Sequence, residues 1–269
     1  MDKHTTCPII IGISGLSGSG KTTIATKMQR AFQEKGLAVA SMSQDYYYRD
    51  QKDIPLAQRS ETNYDVPEAF EHDLLVKHLQ TLKTGKAIQA PVYEFDQHTR
   101  NPSKTQLIKP ADIIIIEGIL LFHDNEVFNQ FNHSIFIEAQ DEICFARRLE
   151  RDIKERGRTE ASVREAWTNK VQPSIDQYIR PSAWKAQLSI DNSHANYRQA
   201  HKLINQFVSE VCRKRINDAK AASRLAKKKR KIEVISSAEL MPIAKLPRKF
   251  TPTTYTDLHH ESPHKIRCK

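Results

Sequence analysis

The sequence predicts an α/β fold in which helices cover both faces of a parallel sheet. Five short, largely apolar runs predict strands, because such runs without polar alternation are typical of strands buried on both faces. They occupy residues 8–13, 38–43, 112–118, 134–138 and 187–191. Helical segments alternate with these runs, which favours parallel pairing through crossover connections.

A glycine-rich loop of the pattern GxxxxGK[ST], here GLSGSGKT, follows the first strand. Its glycines let backbone N–H groups converge on phosphates at a helix N-terminus. Lys21 supplies a positive charge toward the β- and γ-phosphates, and the Thr22 hydroxyl can coordinate Mg²⁺. An amphipathic helix over about 21–35, stopped by Gly36, completes the context of a P-loop NTPase-type fold. The expected nucleotide contacts in this loop are Gly15, Ser17, Gly18, Ser19, Gly20, Lys21, Thr22 and Thr23.

Two carboxylates end strands at the carboxyl edge of the sheet, where open α/β folds bind ligands. Glu117 is expected to hold Mg²⁺, directly or through water, together with Thr22; the alternative is a strand-end carboxylate that faces solvent. Asp45 follows the second strand, where it can orient an acceptor hydroxyl and take its proton. The alternative for Asp45 is that it caps a turn.

An insert over residues 87–110 has β-rich pieces and turn residues around Asn101-Pro102, which predict a hairpin cover. Within it, Tyr93, Phe95 and His98 are suited to stacking on a flat heterocycle and reading its polar edge. The alternatives are that the aromatic rings belong to the hairpin core and that His98 is a surface turn residue.

An arginine-rich segment is expected to form a lid that closes over a triphosphate and stabilises the transferring group. Arg148 and Arg151 project from one helix face, and Gly157 lets the chain turn. The alternative is a solvated helix face that pairs with Glu150, Asp152 and Glu155. The five arginines of the segment are Arg147, Arg148, Arg151, Arg156 and Arg158.

The net charge of +10 is concentrated in the C-terminal part of the chain. Residues 1–211 contain 26 Lys and Arg against 27 Asp and Glu, whereas residues 212–269 contain 16 against 5. We therefore expect a neutral domain over 1–211 and a basic tail over 212–269. Within the tail, residues 213–231 predict a solvated basic helix, and the remainder predicts disorder.

The sequence contains no apolar run of about 18 residues, so we expect no membrane span. We see no export signal before the first strand. The four cysteines form no CxxC pair, which argues against zinc and a disulfide framework and favours a cytoplasmic protein.

Several motifs together resemble the uridine kinase (uridine–cytidine kinase) family of P-loop nucleoside kinases, over roughly residues 7–190. They occur in the family's order as GLSGSGKTT, SQDYYYRD, TNYDVPEAF, PVYEFDQHTR, IIEGILLF and RRLERDIKERGR. PVYEFDQHTR is the most diagnostic of them. The resemblance implies transfer of the γ-phosphate of ATP or GTP, with Mg²⁺, to the 5′-hydroxyl of uridine or cytidine. It also suggests a homotetramer.

The resemblance implies a role for each matching residue. Asp45 would be the base on the 5′-hydroxyl, with Lys21, Arg148 and Arg151 also catalytic, and Arg156 and Arg158 would bind the nucleotide. Asp65 would hold the ribose 2′- and 3′-hydroxyls, although it could instead form a helix N-cap in a capping box with Glu68. The remaining substrate contacts would come from Arg148, Tyr48, Tyr93, Phe95 and His98, with the hairpin insert covering the nucleoside.

Two segments depart from the family pattern. Ala166 stands where the family usually has a glutamine before an aromatic residue, and residues 191–197 replace a Pro-Arg-Gly-Gly turn near the nucleotide base. These departures leave open the choice of pyrimidine and of ATP or GTP. Competing functions are a P-loop kinase of another small alcohol, such as phosphoribulokinase, pantothenate kinase or nicotinamide riboside kinase, and a regulatory protein that binds nucleic acid or an anionic surface through its basic tail.

Overall fold

The computed structural model describes residues 7–193 and 197–239. These residues divide into two compact units, the first ending at Ala219 and the second beginning at Lys220. The strands are β1 (Ile9–Gly15), β2 (Val39–Ser43), β3 (Ile88–Glu94), β4 (Thr99–Ile108), β5 (Ile113–Glu117), β6 (His133–Glu138) and β7 (Leu188–Asp191). The helices are α1 (Lys21–Glu34), α2 (Leu56–Arg59), α3 (His72–Lys83), α4 (Asn125–Phe128), α5 (Asp141–Arg156), α6 (Glu160–Ala166), α7 (Gln172–Ser174) and α8 (Tyr197–Glu239).

Five strands form one sheet in the order β2-β5-β1-β6-β7, and every neighbouring pair is parallel. The predicted fold class is therefore confirmed, and the five predicted strands are found within one or two residues of their predicted ends. Ile13 of β1 and Ser43 of β2 both lie beside Glu117 of β5 in the register. The loops after these three strands consequently start at the same edge of the sheet.

The side chains of the central strands alternate between two apolar clusters on opposite faces of the sheet. In β5, Ile114 and Ile116 pack in a cluster with residues of α3 and the hairpin, whereas Ile113 and Ile115 pack in a cluster with residues of α1 and α8. All four are completely buried. Burying such a side chain contributes about 1.5–3 kcal/mol, which explains the uninterrupted apolar run of this strand.

The predicted hairpin forms from β3 and β4, but its turn is not at Asn101-Pro102 as predicted. The chain reverses between Glu94 and Thr99, where His98 adopts a left-handed conformation with φ 51°. Asn101 and Pro102 lie within β4, opposite a register shift between Pro91 and Tyr93. The two-stranded sheet accommodates Pro102 because proline, which cannot donate to a ladder, is tolerated at edge strands and bulges.

Helix α8 contains the whole predicted basic helix of residues 213–231. In the first unit, Val211 and Cys212 are buried in the apolar cluster that includes α1. In the second unit, residues 220–227 are exposed. Residues 232–239, at the start of the segment predicted to be largely disordered, continue the helix, since propagation costs little once a helix has formed. The rest of that prediction, residues 240–269 with Cys268, lies outside the described residues.

Within residues 7–193 and 197–239, no helix has the length and apolar character needed to cross a bilayer.

Candidate active site

The glycine-rich loop between β1 and α1 needs glycine at positions where the backbone is left-handed and closely packed. Gly18 has φ 84°, and a Cβ there would lie 2.2 Å from the carbonyl oxygen of Cys144. Gly20 has φ 93°, and a Cβ there would lie 2.3 Å from the side-chain nitrogen of Asn192. Any other residue would strain the backbone and displace α5 or the loop after β7.

Gly20 is also the N-cap of α1, and it offers no side chain to the first N–H groups of the helix. These groups therefore stay free for an anion, whose binding the helix dipole favours. Lys21 begins the helix, and its ammonium donates to the carbonyl oxygen of Leu16 at 2.9 Å. Burial lowers the pKa of Lys21, although the charges of Glu117 and Asp45 oppose this effect.

Asp45 and Glu117 meet at the edge where β2 and β5 end. Burial raises the pKa of Asp45, while the positive charges of Arg156, Lys21 and Arg151 act in the opposite direction. The short 3₁₀ helix that contains Asp45 is capped by Ser43, whose side chain accepts from the Asp45 N–H at 3.2 Å. The side chain of Asp45 is thus not the cap of this turn.

The carboxylate of Glu117 faces the phosphate loop. Burial raises the pKa of Glu117, while the charge of Lys21 and hydrogen bonds from Ser43 and Thr22 lower it. A hydroxyl and a carboxylate are hard oxygen ligands of the kind that Mg²⁺ prefers. The residues present therefore fit the metal, and Thr22 and Glu117 would hold it.

No group of three or more His, Cys, Asp or Glu side chains suited to a metal ion occurs in the described part of the chain. The donor set of Thr22 and Glu117 matches this finding, because Mg²⁺ in phosphoryl-transfer enzymes takes much of its coordination from waters and from the phosphates of the nucleotide.

One cavity of about 560 Å³ joins the phosphate loop to the hairpin. Its lining includes all the predicted site residues except Gly15 and Ser19. Gly15 instead packs against β6, where an added Cβ would lie 2.3 Å from the carbonyl oxygen of Ile137. Ser19 is completely buried in the loop.

The end of the cavity below the hairpin is aromatic. Tyr48 and Tyr93 are buried, with ring centroids 5.0 Å apart, and both belong to the apolar cluster on that face of the sheet. His98 stacks on Tyr64 at 5.5 Å, and Phe95 contacts the edge of Tyr93 at 5.2 Å. Tyr48 and Tyr93 are therefore part of the apolar core and also line the cavity, whereas Phe95 lines it as an exposed side chain and His98 as a turn residue.

Asp65 is paired with Arg148 rather than placed at a helix start. The guanidinium of Arg148 donates to both carboxylate oxygens of Asp65, at 2.9 and 3.2 Å. The 3₁₀ helix that follows, Pro67–Ala69, has Val66 at its N-cap and no side-chain cap. The capping-box alternative for Asp65 and Glu68 is wrong, because the Asp65 carboxylate is engaged by α5.

Four of the five predicted arginines, all except Arg147, surround a single buried carboxylate, that of Asp152. Arg151 donates to Asp152 Oδ1 at 2.8 Å, and Arg156 and Arg158 approach Asp152 at 3.6 and 3.7 Å. Glu150 instead pairs with Lys154 on the outside of the helix. As predicted, Gly157 ends α5 in a left-handed conformation with φ 64°. The solvated-face alternative was right that the arginines pair with Asp152, but Asp152 is buried, Glu150 pairs with Lys154 instead, and the arginines line the cavity.

The two segments that depart from the family pattern both contribute to the site. Ala166 lines the cavity, and so does Lys170, four residues further along the chain. The side chain of Asn192 donates to the Ser19 carbonyl at 2.8 Å. Arg147 donates to the Asn192 carbonyl at 3.1 Å, so both hold the phosphate loop. Residues 194–196 of the second segment lie outside the described residues.

Sequence reasoning did not assign Asn192, Lys170 or Tyr64 to the site, and it named Asp152 only as a partner of the arginines in the solvated-face alternative. Tyr64 precedes Asp65, and Asp152 follows Arg148 by four residues on α5. A rule that acidic residues four positions from a functional arginine share its helix face would have identified Asp152. Asn192 and Lys170 carry no such signal.

A parallel α/β sheet with a phosphate loop, and a carboxylate beside the end of that loop, define a P-loop nucleotide-binding protein, and the cavity next to the loop has room for an acceptor, as a kinase requires.

A model of the Phosphoribulokinase / Uridine kinase family matches residues 10–197, and the chain belongs to this family. It is 41% identical over 199 residues to the uridine kinase of Leuconostoc citreum (strain KM20), covering 74% of this chain and 94% of that protein. It is 43% identical over 189 residues to the uridine kinase of Halalkalibacterium halodurans, covering 70% and 88%. Its fold resembles D-glycerate 3-kinase from Cryptococcus neoformans var. grubii, with a TM-score of 0.52, 17% identity, and coverage of 71% of this chain and 89% of that one.

Proposed function

We propose that this protein is a uridine/cytidine kinase, which transfers the γ-phosphate of ATP or GTP to the 5′-hydroxyl of a pyrimidine ribonucleoside and acts in pyrimidine salvage in the cytoplasm. One observation carries the proposal. Asp45 lines the same cavity as Lys21 of the phosphate loop and Tyr48 of the aromatic end. A base that reaches both substrates is what in-line transfer requires.

The donor triphosphate is bound by the N–H groups of the glycine loop and by Lys21. Arg151, Arg156 and Arg158 neutralise charge that develops on the moving phosphoryl group. Thr22 and Glu117 would hold Mg²⁺, which would lower the negative charge of the phosphates. The half-buried position of Glu117, with a hydrogen bond to Thr22 and the charge of Lys21 nearby, supports this assignment.

The nucleoside occupies the aromatic end of the cavity. Asp65, oriented by Arg148, accepts hydrogen bonds from the ribose 2′- and 3′-hydroxyls, and Asp45 takes the proton of the 5′-hydroxyl. The base stacks among Tyr48, Phe95 and the other rings. Burial raises the pKa of Tyr93, so its hydroxyl stays protonated and can donate to a base carbonyl. Burial also lowers the pKa of His98, which favours a neutral imidazole.

The test is a panel of acceptors with purified protein, Mg²⁺ and either ATP or GTP. The proposal predicts that uridine or cytidine is phosphorylated at least tenfold more efficiently than ribulose 5-phosphate, pantothenate, nicotinamide riboside or D-glycerate. Turnover of one of these other alcohols without pyrimidine phosphorylation would replace the proposal by a related small-molecule kinase. The same preparation, examined by light scattering, tests the tetramer.

A further inference from the structure

The carboxylate of Asp152 is the meeting point of four arginines. It is completely buried in the cavity wall formed by α5. Arg151 Nη2 lies 2.8 Å from it, Arg148 Nε 3.5 Å, Arg156 Nη1 3.6 Å and Arg158 Nη1 3.7 Å. Burial alone would raise the pKa of Asp152, but the charges of Arg151, Arg148 and Arg156 outweigh it and lower this pKa. Asp152 therefore carries a negative charge when these arginines surround it.

Arg148 connects Asp152 to the opposite side of the cavity. Its two terminal nitrogens bind the carboxylate of Asp65 at 2.9 and 3.2 Å, and its Nε faces Asp152. Arg148 and Asp65 are both buried, so solvent does not screen this pair as it screens surface pairs. The ion pairs thus run without interruption from Asp65 through Arg148 and Asp152 to Arg151, Arg156 and Arg158.

The middle of this network is not fully satisfied. Asp152 Oδ2 and Arg148 Nε are both buried, and neither makes a hydrogen bond to any of the described residues. They lie 3.5 Å apart, beyond the usual 2.7–3.2 Å of such a bond by only a few tenths of an ångström. Leaving buried polar atoms unpaired is costly, so a small movement of Arg148 toward Asp152 is favourable.

We propose that Asp152 is a positioning residue that couples the acceptor site at Asp65 to the arginines that face the triphosphate. This inference rests on the function proposed above. A nucleoside that binds Asp65 shifts the guanidinium of Arg148, and Asp152 transmits the shift because it holds Arg151, Arg156 and Arg158 as well. By thermodynamic reciprocity, a nucleotide that orders these three arginines strengthens nucleoside binding by the same factor.

Asp152→Asn tests this role because it keeps the size of the side chain and removes its charge. Four guanidinium groups then repel one another without a central carboxylate, and the link from Arg148 to the other three is lost. Glu150→Gln is the matched control. It removes a carboxylate of the same helix that pairs with Lys154 at 2.7 Å on the exposed side.

The measurement is the Kd of uridine by titration calorimetry, with and without a non-hydrolysable ATP analogue and Mg²⁺. Allosteric coupling typically changes an affinity by about 5–150-fold. We therefore expect the nucleotide analogue to lower the Kd of uridine by a factor within this range, both in the native protein and in Glu150→Gln. In Asp152→Asn the ratio of the uridine Kd without the analogue to the uridine Kd with it falls to about one. The kcat falls by a larger factor than the KM for uridine rises, because the arginines stabilise the transferring group.

Three outcomes would overturn the inference: a ratio near one in the native protein, a native ratio in Asp152→Asn, or an equal loss of the ratio in Glu150→Gln. If Asp152→Asn does not fold, Arg148→Lys keeps the positive charge but lacks the guanidinium fork that binds Asp65 and faces Asp152, and an unchanged ratio in that variant would equally refute the role. If the native protein neither binds nor phosphorylates pyrimidine nucleosides, the proposed function fails instead. The ratio is then measured with the alcohol that the panel identifies.

Discussion

Replacing Asp45 by asparagine separates catalysis from nucleotide binding. Asparagine has nearly the same shape but cannot take a proton from the acceptor hydroxyl. The cradle formed by the glycine loop and Lys21 is unchanged. Because the carboxylate of Asp45 repels phosphates, Asp45→Asn should leave the Kd of the nucleotide unchanged or lower it.

The size of the effect follows from the role of a general base. Such a base contributes about 10²–10⁴-fold, which corresponds to about 2.7–5.4 kcal/mol of transition-state stabilisation. The upper part of this range is expected here, because burial raises the pKa of Asp45 and so makes it a stronger base than an exposed aspartate. The acid limb of the native kcat profile should accordingly lie above the ordinary aspartate pKa of 3.8.

The assay combines steady-state kinetics with calorimetric titration of a non-hydrolysable nucleotide. Asp53→Asn is the matched control, since Asp53 is an exposed loop carboxylate that does not line the cavity. A loss of less than tenfold in kcat for Asp45→Asn would refute the assignment of Asp45 as the base. A parallel loss of nucleotide affinity would show instead that the variant damages the cradle.

The same substitution has a predicted effect on stability. A raised pKa means that the folded protein binds the proton more tightly than the unfolded chain, so this carboxyl destabilises the fold as pH rises from about 4 through the raised pKa. Asparagine lacks this titration. The melting temperature of Asp45→Asn should therefore exceed that of the native protein at neutral pH, and the difference should shrink toward pH 4. A difference that grows on acidification would contradict the sign of the shift.

Three further changes test other parts of the site. Lys21→Ala should weaken triphosphate binding and lower kcat together, in contrast to Asp45→Asn, and normal affinity in calorimetry would contradict the cradle. Gly18→Ala should lower both melting temperature and nucleotide affinity, because left-handed backbone costs other residues about 1–2 kcal/mol and its Cβ would lie 2.2 Å from Cys144 O; native values for both would show that the loop adapts. Ending the chain after Ala219 should leave turnover unchanged, and any salt-sensitive RNA binding should disappear with the removed basic residues. Reduced turnover would assign the second unit a part in catalysis, and the absence of RNA binding by the full chain at low salt would exclude the nucleic-acid role of the tail.

The sequence predicted the parallel sheet and the phosphate loop because both depend on local patterns. The run Ile113–Ile116 has no polar residue, and only a strand buried on both faces tolerates such a run. Lys21, Asp45 and Glu117 were found because each follows a strand in the chain, and parallel strands end at one edge.

The sequence did not predict contacts that depend on the relative position of distant segments. Asp65 and Arg148 are 83 residues apart, and their bidentate pair requires α5 to lie across the cavity. Asn192 binds the carbonyl of Ser19 from 173 residues away. The hairpin turn was predicted at Asn101-Pro102 rather than at His98 for a different reason. The Asn-Pro pair is a strong turn signal, but it can also mark a bulge within an edge strand.

The side chains that line the cavity carry more positive than negative charge. Seven cationic side chains line it, against four carboxylates. Five of the seven cations are partly exposed, but like charges gathered at one site still repel one another and destabilise the fold. Asp152 compensates part of the excess from behind the wall, but it shares one charge among four arginines. The remaining positive charge is complementary to a bound polyphosphate, whose binding energy can offset the cost. The same positive charge couples the binding of the two substrates, because Arg148, which binds Asp65, belongs to the group of arginines that attracts a triphosphate.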